Sequence, residues 1–124
     1  MKKILLIEDN NDVRETTCDL LELANYEVVT AKNGKEEIKK ATLFLPDIII
    51  CDIMMPELNG YGVLQILSTD PKTSKIPFIF LTAKSEKEDL RKGMNLGADD
   101  YLTKPFEESE LLSAIENRLK KMNL

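Results

Sequence analysis

The stretch Asp47–Gly60, DIIICDIMMPELNG, decides how the chain is read. Its Ile48-Ile49-Ile50-Cys51 run is continuously apolar and mostly β-branched, which is the pattern of a strand covered on both faces of a parallel sheet. Asp52 stands at the carboxyl end of that strand and is followed by a Met54-Met55-Pro56 turn. An unperturbed aspartate ionises at about pH 4. A charge in this place either serves a turn, where Asp is common, or is tied to a reaction or a metal.

Outward from this strand, apolar periods of two kinds alternate. On the amino-terminal side, Lys2–Ile7 reads as a short strand ending in Glu8-Asp9-Asn10-Asn11-Asp12. Val13, Thr17, Leu20, Leu21 and Ala24 then follow helical spacing, with Asn11 as N-cap and Asp12 and Glu15 favourably placed in the first turn. Tyr26–Ala31 returns to β-branched residues. Asn33 and Glu36 form a capping-box start to a helix whose expected buried face is Ile38, Ala41 and Leu45, stopped by Pro46. On the carboxyl side, Asn59-Gly60 opens a helix through Val63, Leu64 and Leu67 that Asp70-Pro71 closes. Phe78–Leu81 is a fourth strand ending at Thr82-Ala83. Ser85 and Glu88 start a helix that buries Leu90 and Met94 and ends at Gly97. Tyr101-Leu102 marks a fifth strand, ending at Lys104-Pro105-Phe106. Glu107–Met122 is a final amphipathic helix through Leu111, Leu112, Ile115 and Leu119. Strand and helix alternating five times mean a parallel sheet with helices on both faces, an α/β chain of one domain over residues 1–124.

Composition excludes several classes of function. At 124 residues and 43% hydrophobic content the chain can bury a core without a disulfide or metal staple. Its net charge of −5 and lack of a Lys/Arg stripe argue against direct nucleic-acid binding and point to protein partners. No apolar run approaches the roughly 20 residues that cross a bilayer, and the expected location is cytoplasmic. Cys18 and Cys51 fall inside apolar patterns and read as buried reduced thiols. The absence of histidine removes Ser-His-Asp and Cys-His machinery and imidazole metal sites.

Glu8-Asp9, Asp52, Thr82 and Lys104 each lie just past the end of a different strand. In an open parallel sheet those ends share one edge, where ligands bind at the reversal of strand order. Carboxylates forced together repel unless a cation sits among them. Magnesium, with octahedral oxygen coordination and retained waters, fits a cluster of Asp9, Asp52 and, through water, Glu8. A phosphoryl group could then approach, met by Lys104 and the Thr82 hydroxyl, with Asp52 as candidate nucleophile forming an aspartyl phosphate.

Together, Glu8-Asp9, Asp52-x-x-x-Pro56 with Asn59-Gly60, Thr82-Ala83, Gly97-Ala98-x-x-Tyr101 and Lys104-Pro105-Phe106 resemble the receiver domain of bacterial two-component response regulators, over nearly the whole chain. The resemblance implies a flavodoxin-like, doubly wound five-stranded sheet in the order 2-1-3-4-5 within three α/β/α layers. It implies that Asp52 takes a phosphoryl group from a phosphohistidine on a sensor histidine kinase or histidine phosphotransfer protein. Asp9, Asp52 and the Met54 carbonyl would hold Mg2+ (or Mn2+), with Glu8 supporting a water ligand. Thr82, the Ala83 N–H and Lys104 would bind the phosphoryl oxygens, and Lys104-Pro105 would be cis. Thr82 and Tyr101 would act as the switch, remodelling the surface of the fourth helix, fifth strand and fifth helix for a downstream effector or a phosphorylation-linked homodimer. Such a protein catalyses its own phosphorylation and slow dephosphorylation and is not a turnover enzyme. Two other readings compete. A haloacid-dehalogenase-like phosphatase also uses an Asp nucleophile, but needs a carboxylate where this chain has Met54. A pseudo-receiver would bind partners without phosphorylation.

Overall fold

The computed structural model describes residues 1–55, 57–83 and 97–122. Its elements are β1 (Lys3–Ile7), α1 (Asn11–Leu23), β2 (Glu27–Ala31), α2 (Gly34–Phe44), β3 (Ile48–Asp52), α3 (Gly60–Thr69), β4 (Phe78–Ala83), β5 (Asp100–Lys104) and α4 (Glu108–Met122). All strand pairings are parallel, in the order β2-β1-β3-β4-β5.

The apolar runs make this a three-layer structure because each strand is covered twice. Successive side chains point to opposite faces. Leu5, Ile7, Ile49, Cys51, Phe78 and Phe80 therefore pack under α2 and α3, against Ala41, Val63, Leu64 and Leu67. Their alternates Ile4, Leu6, Ile48, Ile50, Ile79 and Leu81 pack against Leu21 of α1 and Leu111, Ile115 and Leu119 of α4. All five residues of β3 are buried, Ile48 to Cys51 as their unbroken apolar run predicts and Asp52 with them. Because the chain winds outward from β1 in both directions, the ends of β1 and β3 flank the point where strand order reverses.

Several local readings need correction. The N-cap of α1 is Asn10, whose side chain accepts from the Val13 N–H, and Asn11 is the first helical residue. Either asparagine can cap, and the Asn11 side chain instead accepts from Arg14 Nη2. The inward face of α1 also carries Arg14 beside Thr17 and Leu21. Cys18 is half-buried rather than buried, while Cys51 is buried, and both thiols are free. In α2 the buried positions are Gly34, Glu37 and Ala41. Leu45, expected inside, is 50% exposed. It ends the helix at φ +49, a left-handed turn that takes its side chain off the helix face. Asn33 caps α2 as expected, but the Glu36 carboxylate, its expected reciprocal partner, pairs with Lys40 at 2.7 Å. β5 runs over five residues although only Tyr101-Leu102 signalled it, since pairing with β4 carries the flanking polar residues along. Gly97 has the left-handed φ of +105. The helix expected from Ser85, with Glu88, Leu90 and Met94, and also Pro56, lie outside the described residues.

Candidate functional site

The carboxyl edge of the sheet brings together residues that are up to 96 positions apart. Glu8 and Asp9 directly follow β1, and β3 ends at Asp52. Oxygen atoms of the three carboxylates all lie within 4.8 Å of one another. β5 delivers Lys104 to the same place, with its Nζ 2.5 Å from Glu8 Oε1 and 3.2 Å from Asp52 Oδ2. The next peptide bond, Lys104–Pro105, is cis.

Backbone contacts fix the edge from which these groups project. The Ile53 N–H donates to the Leu81 carbonyl, and the Gly60 N–H donates back to the Ile53 carbonyl at 2.9 Å. Gly60 is required there, because a Cβ would stand 2.7 Å from the Asp52 carbonyl oxygen. α3 can thus begin directly against the end of β3, with Asn59 capping it by accepting from the Gly62 N–H.

Burial and charge oppose each other at this edge. Asp52 is almost wholly buried. Burial, then its hydrogen bond to Glu8 and the Glu8 charge, push its carboxyl up to about 8. Burial would likewise raise Glu8, but the hydrogen bond from Asp52 and the contact with Lys104 outweigh it and hold Glu8 below the usual carboxylate range. The pair therefore keeps one proton near neutrality and leaves one negative charge facing the ammonium. Burial would lower Lys104, yet the hydrogen bond with Glu8 and the charges of Asp52 and Glu8 raise it, so it stays ionised. Asp9, by contrast, is exposed at the mouth of the site.

The donor set is all oxygen and acidic, with one exposed side through which an ion and its waters could enter. That composition fits a hard divalent cation such as magnesium. Glu8, expected to support a water ligand, is 1% exposed, belongs to the carboxylate cluster and pairs directly with Lys104.

The remaining expected residues surround this centre. Thr82 is fully buried on β4, opposite Thr103 of β5, and Ala83 lies opposite Lys104. Tyr101 is 41% exposed on β5, and the Met54 side chain is 62% exposed just after the strand.

Two contributors escaped the sequence reading. Arg14 is buried, with its Nη1 donating to the Glu8 carbonyl oxygen at 2.8 Å. A cation in the first turn of a helix opposes the dipole, and that mismatch was the available signal of a tertiary role. Glu37 is fully buried behind Asp52, with Cys51 Sγ 3.5 Å from its Oε2. Its spacing of four from buried Ala41 was the corresponding clue.

Comparison with known proteins agrees with this geometry. Residues 4–116 match the response regulator receiver domain family. A probable transcriptional regulator, ycf27 of Cyanophora paradoxa, is 42% identical over 97% of this chain and 49% of its own length. The chain spans about half the length of the curated relatives it matches. The receiver domain of a Clostridium thermocellum response regulator superposes with a TM-score of 0.93 at 30% identity, covering 99% of this chain and 98% of that one. The receiver domain of a sensor histidine kinase from Pseudomonas aeruginosa superposes with a TM-score of 0.86 at 29% identity, covering 96% of this chain and 98% of that one. That structure has a magnesium ion coordinated in its active-site cleft. With fold, strand-end acidic cluster and family match in agreement, this chain belongs to the response regulator receiver domain family of two-component systems.

Proposed function

We propose that this chain is a phosphorylation-activated signalling switch in which Asp52 accepts a phosphoryl group from a phosphohistidine on a sensor histidine kinase or histidine phosphotransfer protein. The observation that carries the reading is the convergence of the Glu8, Asp9 and Asp52 carboxylates to within 4.8 Å, with Lys104 Nζ 3.2 Å from Asp52. The cation would be Mg2+, or Mn2+ in its place, held by Asp9, Asp52 and the Met54 carbonyl, with Glu8 supporting a water ligand. When bound, it supplies positive charge that lets an anionic phosphoryl group enter an acidic cleft.

The side chains then divide the work. An Asp52 carboxylate oxygen attacks phosphorus, the phosphorus–nitrogen bond to the donor imidazole breaks, and the electron pair leaves with that imidazole. Asp52 must first give up the proton it shares with Glu8. Lys104 is already within contact distance of Asp52 and neutralises charge developing on the transferred oxygens. The Thr82 hydroxyl and the Ala83 N–H take the remaining oxygens. Thr82 moves toward the phosphoryl group and Tyr101, exposed in this structure, turns inward behind it, changing the surface around β5 and α4. That surface is read by an effector protein or domain, or by a second copy of the chain. The relatives that are transcriptional regulators, about twice as long as this chain, favour a transcription-regulating output elsewhere in the protein. The chain promotes its own phosphorylation and slow dephosphorylation in the cytoplasm and does not turn over substrate. Met54 in place of a second carboxylate disfavours phosphatase chemistry.

Acetyl phosphate with Mg2+ tests the proposal through intact mass. The native protein is expected to gain one phosphoryl group, and Asp52→Asn and EDTA-treated samples none. Undiminished labelling of Asp52→Asn would overturn the assignment.

A further inference from the structure

Arg14 occupies the first turn of α1, where the helix N–H groups already carry partial positive charge and a guanidinium gains nothing from the dipole. It is buried all the same. Its Nη1 donates to the backbone carbonyl oxygen of Glu8 at 2.8 Å, and its Nη2 donates to Asn11 Oδ1. These acceptors bracket the turn that carries Glu8 and Asp9 from β1 into α1. A planar guanidinium whose two nitrogens are engaged at both ends of a turn restrains its length and direction together, which a single ammonium does less well. The restraint matters because Glu8 and Asp52 are held by their hydrogen bond and by Lys104, whereas exposed Asp9 depends on the backbone of this turn for its place beside them.

We propose that Arg14 is a positioning residue for the cation site, holding the β1–α1 turn so that Glu8 and Asp9 stand beside Asp52 before an ion arrives. The proposal rests on reading the Glu8–Asp9–Asp52 cluster as that site. Arg14 touches neither ion nor phosphoryl group and acts through the Glu8 carbonyl and the Asn11 amide. The groups that set the charge states of Glu8 and Asp52 are each other and Lys104, with a backbone hydrogen bond at Asn10, so the influence of Arg14 is geometric.

The test measures Mg2+ affinity by calorimetric titration and, on the same samples, the melting temperature in EDTA. Arg14→Met keeps the apolar stem and removes the donors, and Arg14→Lys restores one. Leu21→Val, on the same helix but away from the turn, reports on general loss of stability. Arg14→Met is expected to bind Mg2+ about tenfold more weakly, the usual scale for residues that orient metal ligands. Arg14→Lys should recover part of that loss, while Leu21→Val keeps native affinity despite a lower melting temperature. Native affinity in Arg14→Met, or a loss no greater than in Leu21→Val, would overturn the proposal. If the methionine variant does not fold, Arg14→Lys decides alone: several-fold weaker binding at an unchanged melting temperature supports the role, and native affinity removes it. Asp9→Asn separates the two levels. If Asp9→Asn titrates like the native protein, or the native protein binds no Mg2+, the cation site and this role fall together. If Asp9→Asn loses binding and Arg14→Met does not, only the role of Arg14 falls.

Discussion

Glu8 and Glu37 are equally sealed, 1% and 0% exposed, and lie on either side of the same strand end, yet their surroundings drive them to opposite charge states. Glu8 has an ammonium 2.5 Å away and a protonated neighbour in Asp52, and it ionises more readily than a free glutamate. Among the described residues Glu37 meets the Cys51 thiol, which also lies 3.2 Å from the Asp52 carbonyl, and no hydrogen-bond partner for its Oε1. Burial therefore raises Glu37 well above the normal carboxylate range. Burial by itself neutralises a carboxylate, and only a fixed cation makes a buried negative charge tenable. The site edge keeps its charge ready for an ion, while Glu37 remains a neutral acid inside the α2–β3 packing.

The largest expected consequence concerns the ion. Asp52 holds its proton up to about pH 8 in the cation-free protein, so Mg2+ must displace it. Apparent Mg2+ affinity should rise by about tenfold per pH unit between about pH 6 and 8 and then level off. Titrations across that range check this, and an affinity independent of pH would break the contrast between the two carboxylates.

Removing the ammonium should make the site resemble the Glu37 pocket. Lys104→Met is expected to cost about 2–4 kcal/mol at pH 8 and less at pH 5, where the Glu8–Asp52 pair can take up a proton instead. Urea unfolding at the two pH values measures the difference.

Glu37→Met makes the complementary change by removing the orphaned oxygen. A carboxyl whose folded value is raised contributes stability that is complete below its unfolded value, about 4, and lost as pH rises toward the folded value. Native Glu37 is therefore an increasing burden at higher pH. The methionine variant should be more stable than the native protein by about 1–2 kcal/mol at pH 8 and gain less at pH 5. Equal stability at both pH values would mean that Glu37 finds a partner in solution. At the far end of the scale, Lys35 and Glu57 stand 3.8 Å apart with both side chains exposed. Lys35→Ala should leave the melting temperature unchanged, because exposed pairs are screened by water and salt.

The same contrast explains what could be read from the residues alone. The strands were legible because Ile48–Cys51 and Phe78–Leu81 have no polar interruption; Asp52 and Thr82 were legible because each directly follows such a run, and Lys104 because it stands between the short Tyr101-Leu102 signal and Pro105. Strand-end placement and the reversal of strand order then gather them without any knowledge of side-chain contacts. Arg14 and Glu37 were missed because periodicity assigns charged helical positions to solvent, and helical spacing does not reveal their contacts, the Glu8 carbonyl and the Cys51 thiol. Leu45 failed in the opposite sense, since helical spacing places it inward and only the left-handed turn before Pro46 turns it out.

The most direct measurement locates the modified residue. After incubation with acetyl phosphate and Mg2+, borohydride reduction converts an acyl-phosphate aspartate into homoserine, which peptide mass spectrometry can place in the chain. Homoserine at position 52, dependent on Mg2+, is the predicted result. Modification at any other residue, or none in a folded sample that binds Mg2+, would contradict the assignment of Asp52 as the phosphoryl acceptor.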